Sequence, residues 1–370
     1  MKVNSEMSNF ICGACVFYLY KRKIMKINKF LMTAAVAAAL SCPHSEACSR
    51  VVYLGDSGTV LVGRTLDWRT PIPTNIYVYP AGVAKESNNS GERLRWTSRY
   101  GSVLAVGYDG GVTEGMNSEG LVLNGLFCKT SQYPVAAPGS NTPMMSLAVL
   151  VSYFLDNFAT VDEVDTWLQA NKFAIAGATF DGGTVSMLHW GFTDRTGETL
   201  IMEFIGGEMH TYRGRELQVL TNDPAYPQMQ AIDSYWQGVG GANMLPGTVR
   251  SADRFVRASF FIRQVPTNFD YDHAWAALNS IMGTVSVPYG YEIEGEPNVS
   301  STQWTSIADS SGGKYYMRFA DNKGYFWVDL GRLILTPGAP VLKLDTTDHS
   351  RLDGCINNLL VHSEPFTPMW

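Results

Sequence analysis

Apolar and polar positions alternate through residues 50–54 and again through 59–68, on either side of Gly55-Asp56-Ser57-Gly58. That pattern predicts a β-hairpin closed by a tight turn. Asn75–Tyr79 is predicted as a further strand, and residues 80–99 as loop around the cluster Ser87-Asn88-Asn89-Ser90-Gly91. Val103–Val106 and Leu121–Phe127 read as strands flanking a Gly-rich turn region. From 144 to 157 the apolar residues fall at helical spacing, and Asp162–Asn171 is predicted as a second helix with Thr160 as its N-cap. Strands are expected at 184–193, 199–205 and 208–212, with Val219–Leu220 ending one before Thr221-Asn222-Asp223-Pro224. Helices are expected at 226–237, 251–264 and 271–282, then strands at 314–319, 325–330 and 340–344. With no linker, repeat or heptad run, this order predicts one α+β domain of layered type over 48–370.

The first 47 residues follow a different pattern. A basic run (Lys21, Arg22, Lys23, Lys26, Lys29) precedes the apolar stretch Phe30–Leu40 and the short polar segment before Cys48. Positive, apolar and polar regions in that order predict a secretory signal peptide. The apolar run is too short to span a bilayer as a helix. Ser45 and Ala47 are the small residues expected before a cleavage between Ala47 and Cys48. Translation starting at Met25 would leave a shorter leader, and a lipoprotein acylated at Cys42 is the competing arrangement, with a poor acylation motif. The expected location is periplasmic or secreted, with no stable membrane span after cleavage.

Composition narrows the function. The 370 residues are 45% hydrophobic and 17% charged, with 28 Lys and Arg against 34 Asp and Glu, a net charge of −6. These values exclude a disordered chain and argue against a nucleic-acid partner, which would call for a basic surface. Loss of residues 1–47 removes six basic and two acidic groups, leaving 22 against 32 and a net charge of −10. It also leaves three cysteines, Cys48, Cys128 and Cys355. An odd number cannot all pair in an oxidising compartment.

Cleavage at Ala47 would make Cys48 an N-terminal residue, with a thiol and a free α-amine together. The amine, with a pKa of about 7.7–8.0, can accept the thiol proton near neutrality. The nucleophile then carries its own general base. Arg64 and Asp67 lie 16 and 19 residues downstream, on the strand that the hairpin folds back beside Cys48. A cation beside a thiol favours the thiolate, and a carboxylate can orient the amine. Other chemistries are less well supplied. Gly55-Asp56-Ser57-Gly58 matches a serine-protease motif, but His44 alone precedes it, inside the leader. The Cys12-Gly-Ala-Cys15 pair also lies in the leader. No P-loop, Gly-x-Gly-x-x-Gly or His-Glu-x-x-His run occurs. The six histidines are scattered, and His189, alternating within an apolar strand, reads as a hydrogen-bonded core residue; no metal site is predicted.

From Cys48 onward the chain resembles the choloylglycine hydrolase and penicillin V acylase family of N-terminal-nucleophile hydrolases. The resemblance runs through Cys48-Ser-Arg, Gly63-Arg64-Thr65-Leu66-Asp67-Trp68, Gly115-Met116-Asn117-Ser118-Glu119-Gly120-Leu121 and Leu220-Thr221-Asn222-Asp223-Pro224. It continues in Leu245-Pro246-Gly247, Asp253-Arg254-Phe255-Val256-Arg257, Ser286-Val287-Pro288-Tyr289-Gly290 and Ser301-Thr302-Gln303-Trp304. It implies an αββα fold, two antiparallel sheets between helical layers, and hydrolysis of linear amides with no metal or organic cofactor. By position it implies Cys48 as nucleophile, Arg64, Asp67 and Arg254 as its charged neighbours, Asn222 as side-chain donor to the oxyanion, and Phe127 as backbone donor. Asp223 stands where the family has Ser, Gln303 where it has Arg, and Phe127 where it has Asn or Tyr. Leu66, Trp68 and Phe127 are the candidate lining of an acyl pocket. The implied substrates pair an apolar acyl group with a polar amine: conjugated bile salts, penicillin V or N-acyl homoserine lactones. A homo-oligomer is implied too, with the family's assembly loop shortened between Asn222 and Arg254. The competing class is a catalytically silent binding protein that kept the pocket.

Overall fold

The structure is a computed structural model that describes residues 48–87, 92–180, 184–292 and 300–370. The predicted leader 1–47, with its basic run, its cysteines and Met25, lies outside the described residues, as do Asn88–Gly91 of the predicted turn cluster.

The chain opens with the predicted hairpin, β1 (Ser49–Leu54) and β2 (Val60–Trp68), antiparallel with Arg50 opposite Arg64. Next comes a meander of β3 (Thr74–Tyr79), β4 (Ser102–Gly107), β5 (Gly111–Asn117) and β6 (Val122–Phe127). Helices α1 (Leu147–Asn157) and α2 (Val161–Ala170) follow. Strands β7 (Leu188–Thr193), β8 (Thr199–Ile205), β9 (Glu208–Arg213) and β10 (Val219–Leu220) lead to three helices, α3 (Tyr226–Val239), α4 (Ser251–Gln264) and α5 (Tyr271–Val285). The remaining strands are β11 (Ser301–Asp309), β12 (Lys314–Phe319), β13 (Phe326–Asp329), β14 (Leu342–Leu344), β15 (Gly354–Cys355) and β16 (Val361–His362).

Two large sheets result. One has the order β10-β1-β2-β11-β12-β13-β15, the other β9-β8-β7-β6-β5-β4-β3-β14-β16. Both are antiparallel except for the β13–β15 edge pair. Strand alternation sorts the side chains of the first hairpin. Val52, Val62, Leu66 and Trp68 face the second sheet, in a core with Ile76, Val103, Met116 and Val122. Val51, Tyr53 and Leu61 face the other way and pack with Phe255 of α4 and Leu278 and Met282 of α5. On the far side, Leu121, Leu123, Trp190 and Phe192 meet Leu150, Phe154 and Val164 of α1 and α2. Helix, sheet, sheet, helix is the αββα architecture that the resemblance implies.

Five elements differ from the sequence reading. The region between β4 and β6 holds a strand, β5, where a Gly-rich turn was expected; the glycines let it pack closely under α1. Residues 301–309 form β11, a central strand that its Ser- and Thr-rich, non-alternating sequence conceals, because β2 and β12 cover it on both edges. The loop 80–99 contains a small hairpin, Ala84–Glu86 with Arg95–Thr97. The helix expected from 144 starts at Leu147, because the Ser146 hydroxyl accepts the Ala148 N–H and caps it there. Similarly, the expected strand 184–193 begins its sheet pairing at Leu188, Thr184–Val185 pairing instead with Thr179–Phe180. The Thr160 N-cap is present, accepting from Glu163 N–H.

Candidate active site

Cys48 sits at the mouth of the first hairpin, 4% exposed, one residue before β1. Arg64 and Asp67 are three residues apart on β2, so the alternation of a strand turns them to opposite faces. Arg64 enters the space between the sheets. Its Nη2 lies 3.8 Å from Cys48 Sγ and donates to the Gly125 carbonyl at 3.0 Å. Asp67 turns toward α4. Its carboxylate accepts from Thr65 Oγ1 at 3.1 Å and Thr302 Oγ1 at 2.5 Å, and lies 3.9 Å from Arg254 Nη1. Only its backbone carbonyl is near the thiol, 4.0 Å from Sγ.

Arg254, fully buried on α4, ties these parts together. Its Nη1 donates to the Cys48 carbonyl at 2.7 Å and to Ser49 Oγ, its Nη2 to Asn222 Oδ1 at 2.8 Å, and its Nε to the Val249 carbonyl. Asn222 Oδ1 also accepts from Cys48 N at 2.5 Å. The carboxylate expected to orient the Cys48 nitrogen is therefore absent from it; the Asn222 amide oxygen holds that nitrogen instead. Asn222 Nδ2 donates to the Phe127 carbonyl at 2.7 Å. A carbonyl and amide of one strand residue point to the same edge. Cys128 N–H donates to the carbonyl of Met187, the residue before β7, so Phe127 N–H and C=O face away from β7, toward Asn222. That edge is open because the β5–β6 ladder ends at Glu114–Asn124, next to a bulge between β4 and β5.

Burial sets the charges. It pushes the Asp67 carboxyl up to about 6, against the pull of Arg254, Thr302, Thr65 and Arg64. It also lowers Arg254, while Asp67 and Cys48 favour the cation. One partner in this cluster escaped the sequence reading. Glu114 on β5 is fully buried, 3.3 Å from Arg64 Nε, and accepts from Asn124 Nδ2, Ser306 Oγ and Tyr315 Oη. Its one sequence signal is a lone Glu directly before Gly115, in a Gly-rich segment that resembles a turn. Thr65 and Thr302, which hold the Asp67 carboxylate, carry no sequence signal of that role. Gln303 sits at a bulge in β11, and its Nε2 donates to the Trp68 carbonyl. Asp223 accepts from Thr130 N–H.

Above Cys48, Arg64 and Asp67 opens a cleft of about 750 Å³, its mouth included, lined by Leu66, Trp68, Ile72, Phe127 and Leu147 among others. All three pocket candidates line it. The Trp68 and Phe127 rings lie 5.4 Å apart. An apolar cleft with a few convergent polar groups at its floor is the usual form of a small-molecule site.

His189 is buried and satisfied, as its alternation suggested: Nδ1 pairs with Glu203 at 2.8 Å and Nε2 with the Thr221 carbonyl at 2.6 Å. Burial opposes its charged form, but Cys128 and Glu203 outweigh burial and lift it to about 10. The same contact lowers Cys128, although its burial alone acts the other way. The ligating atoms of Cys128, His189 and Glu203 lie within 4.8 Å of one another. Both ring nitrogens already have acceptors, so the trio reads as a brace for the Thr221–Asn222 turn. Cys48, Cys128 and Cys355 are all free thiols. No helix among the described residues is long and apolar enough to cross a membrane.

The chain is similar to known proteins over most of its length. A family model described as linear amide C–N hydrolases, choloylglycine hydrolase family, matches residues 48–350. A penicillin V acylase from Pectobacterium atrosepticum is 36% identical over 331 residues, 84% of this chain and 88% of that protein. A bile salt hydrolase/transferase from Bifidobacterium longum is 24% identical over 74% of this chain and 92% of its own length. The solved penicillin V acylase from Agrobacterium tumefaciens superposes with a TM-score of 0.80 at 37% identity, covering 87% of this chain and 99% of that one.

Proposed function

The chain belongs to the choloylglycine hydrolase family of linear amide C–N hydrolases, and on that premise we propose that it is an exported amidase whose nucleophile is Cys48. The observation that carries this reading is the setting of Cys48. Its thiol lies 3.8 Å from a guanidinium, its nitrogen is bonded to Asn222, its carbonyl is held by Arg254, and an apolar cleft opens above it. Support for the leader comes from the start of the family match at Cys48.

Cleavage after Ala47 turns the Cys48 nitrogen into an amine. The amine takes the thiol proton, and Arg64 stabilises the thiolate. The sulfur attacks the amide carbonyl, whose oxygen becomes negative. The second N–H of Asn222 Nδ2 and the Phe127 N–H are the proposed donors to that oxygen; loss of one such donor costs about 10²–10³ in rate. The C–N bond then breaks, the α-ammonium protonates the departing amine, and water cleaves the thioester to release the acid. Asp67 and Arg254 act as a buried pair that fixes Cys48 and Asn222.

The acyl side packs against the wall that Trp68 and Phe127 form together. Two aromatic rings 5.4 Å apart suit an aryl acyl group. With the greater identity to penicillin V acylases, this favours phenoxyacetyl amides over conjugated bile salts and acyl homoserine lactones. A homo-oligomer is proposed from the family resemblance, to be measured by light scattering. The deciding experiment pairs intact mass with turnover. A mature chain starting at Cys48 that hydrolyses penicillin V, with activity abolished in Cys48→Ala, is expected. Full activity in Cys48→Ala, or an acylated Cys42, overturns the mechanism; binding without turnover by the wild type leaves the silent-protein reading.

A further inference from the structure

The cleft has a wall from a distant part of the chain. Met369 lines it together with Trp68, Ile72 and Gly111, although it belongs to neither large sheet. The segment carrying it is pinned along its length. Ser363 N–H donates to the Val341 carbonyl, Phe366 N–H to Tyr79 Oη at 3.0 Å, and Met369 N–H to the Gly110 carbonyl at 2.8 Å. The Phe366 ring packs edge-on against Tyr77 and Tyr79, with centroids 5.8 and 6.2 Å away.

The surface that receives Met369 is shaped for it. A Cβ on Gly110 would stand 2.5 Å from Met369 Cγ, so only glycine lets the side chain lie there. Just before it, Tyr108 and Asp109 hold positive φ of 53° and 49°. Such residues persist only where neighbours hold them. Here Asp109 is held by Asn75 Nδ2 at 2.8 Å and Lys343 Nζ at 2.7 Å. The β4–β5 turn is thus a braced shelf, and Met369 lies across it into the cleft.

We propose that the 363–370 segment is a strap across the acyl pocket and that Met369 determines the size of acyl group admitted. This rests on the amidase reading of the cleft and adds a specificity residue to it. An unbranched thioether fills an irregular apolar space and can move with its occupant. Removing it opens the cleft toward the β4–β5 turn; enlarging it closes the same space.

The test measures kcat/KM for wild type, Met369→Ala and Met369→Trp on amides of one amine carrying phenoxyacetyl or straight acyl chains of increasing length. The ratio of long-chain to short-chain kcat/KM should rise about tenfold or more in Met369→Ala and fall by a similar factor in Met369→Trp. An unchanged ratio in variants that melt as folded proteins overturns the proposal; if one variant does not fold, the other decides. If the wild type hydrolyses none of the series, the amidase reading fails separately. Calorimetry with the free carboxylic acids then tests the strap. Tighter binding of long acids by Met369→Ala supports it, and equal binding overturns it.

Discussion

Glu114 shows how a single residue reaches Cys48 without touching it. Its carboxylate holds Arg64 from the sheet opposite, and Arg64 in turn stands beside Cys48 Sγ. Glu114→Gln keeps the shape and removes the charge. Breaking one side of a buried pair costs about 3–5 kcal/mol, so the variant should melt well below wild type. Where Arg64 shifts by about 1 Å, activity should fall by about 10²-fold, with kcat changing more than KM. A variant with unchanged kcat would show that Arg64 is placed without Glu114, by the Gly125 carbonyl and the Trp304 ring, 4.5 Å from its guanidinium carbon. Asp67 gives a pH signature. Its folded pKa, about 6, lies above the ordinary 3.8. Between those values the folded state binds the proton better, so this group's contribution to stability declines as pH rises from about 4 to 6 and is level above that. Asp67→Asn should remove that slope from the melting-temperature profile; an identical profile would assign the titration elsewhere.

At the scale of elements, the hairpin and α5 form one mechanical unit. A Cβ on Gly63 would stand 2.8 Å from Met282 Cγ and Sδ, so β2 and α5 approach as closely as glycine allows. Gly63→Val should cost about 1–3 kcal/mol through overpacking and disturb the neighbouring Arg64. Met282→Ala in the same chain should restore part of the loss, which thermal melts of the single and double variants measure. The hairpin was legible in the chain because alternation and turn chemistry agree. So were α2 through α5, each with apolar residues at helical spacing and, for α2, a Thr cap. β5 and β11 were not. Both lie inside a sheet, where pairing on two edges and cover on two faces override local propensity. Missing β5 also hid Glu114, whose neighbours come from β2, β6, β11 and β12.

Over the whole molecule, each sheet's inner face is covered by the other. The interlayer is polar around the site as well as apolar. Arg50 of β1 reaches across to Asn124 and Thr193, donating at 2.8 and 2.5 Å, and burial brings its pKa down to about 9. Neither sheet can expose its face without stripping the other, so tryptophan fluorescence and far-ultraviolet circular dichroism should report one coincident unfolding transition for 48–370. Two separated transitions would divide that segment into independent parts. The amino-acid order by itself determined the first hairpin and the helices, the basic-then-apolar pattern of residues 21–40, and a thiol placed sixteen and nineteen residues before an Arg and an Asp. Those features depend on neighbours along the chain. The assignment of partners was decided only by folding. Arg64 and Asp67 part to opposite faces, Asn222 takes the Cys48 nitrogen, and Met369 closes the pocket against Gly110. Each is a contact between segments far apart in sequence, where geometry depends on how the layers pack and no local pattern records it.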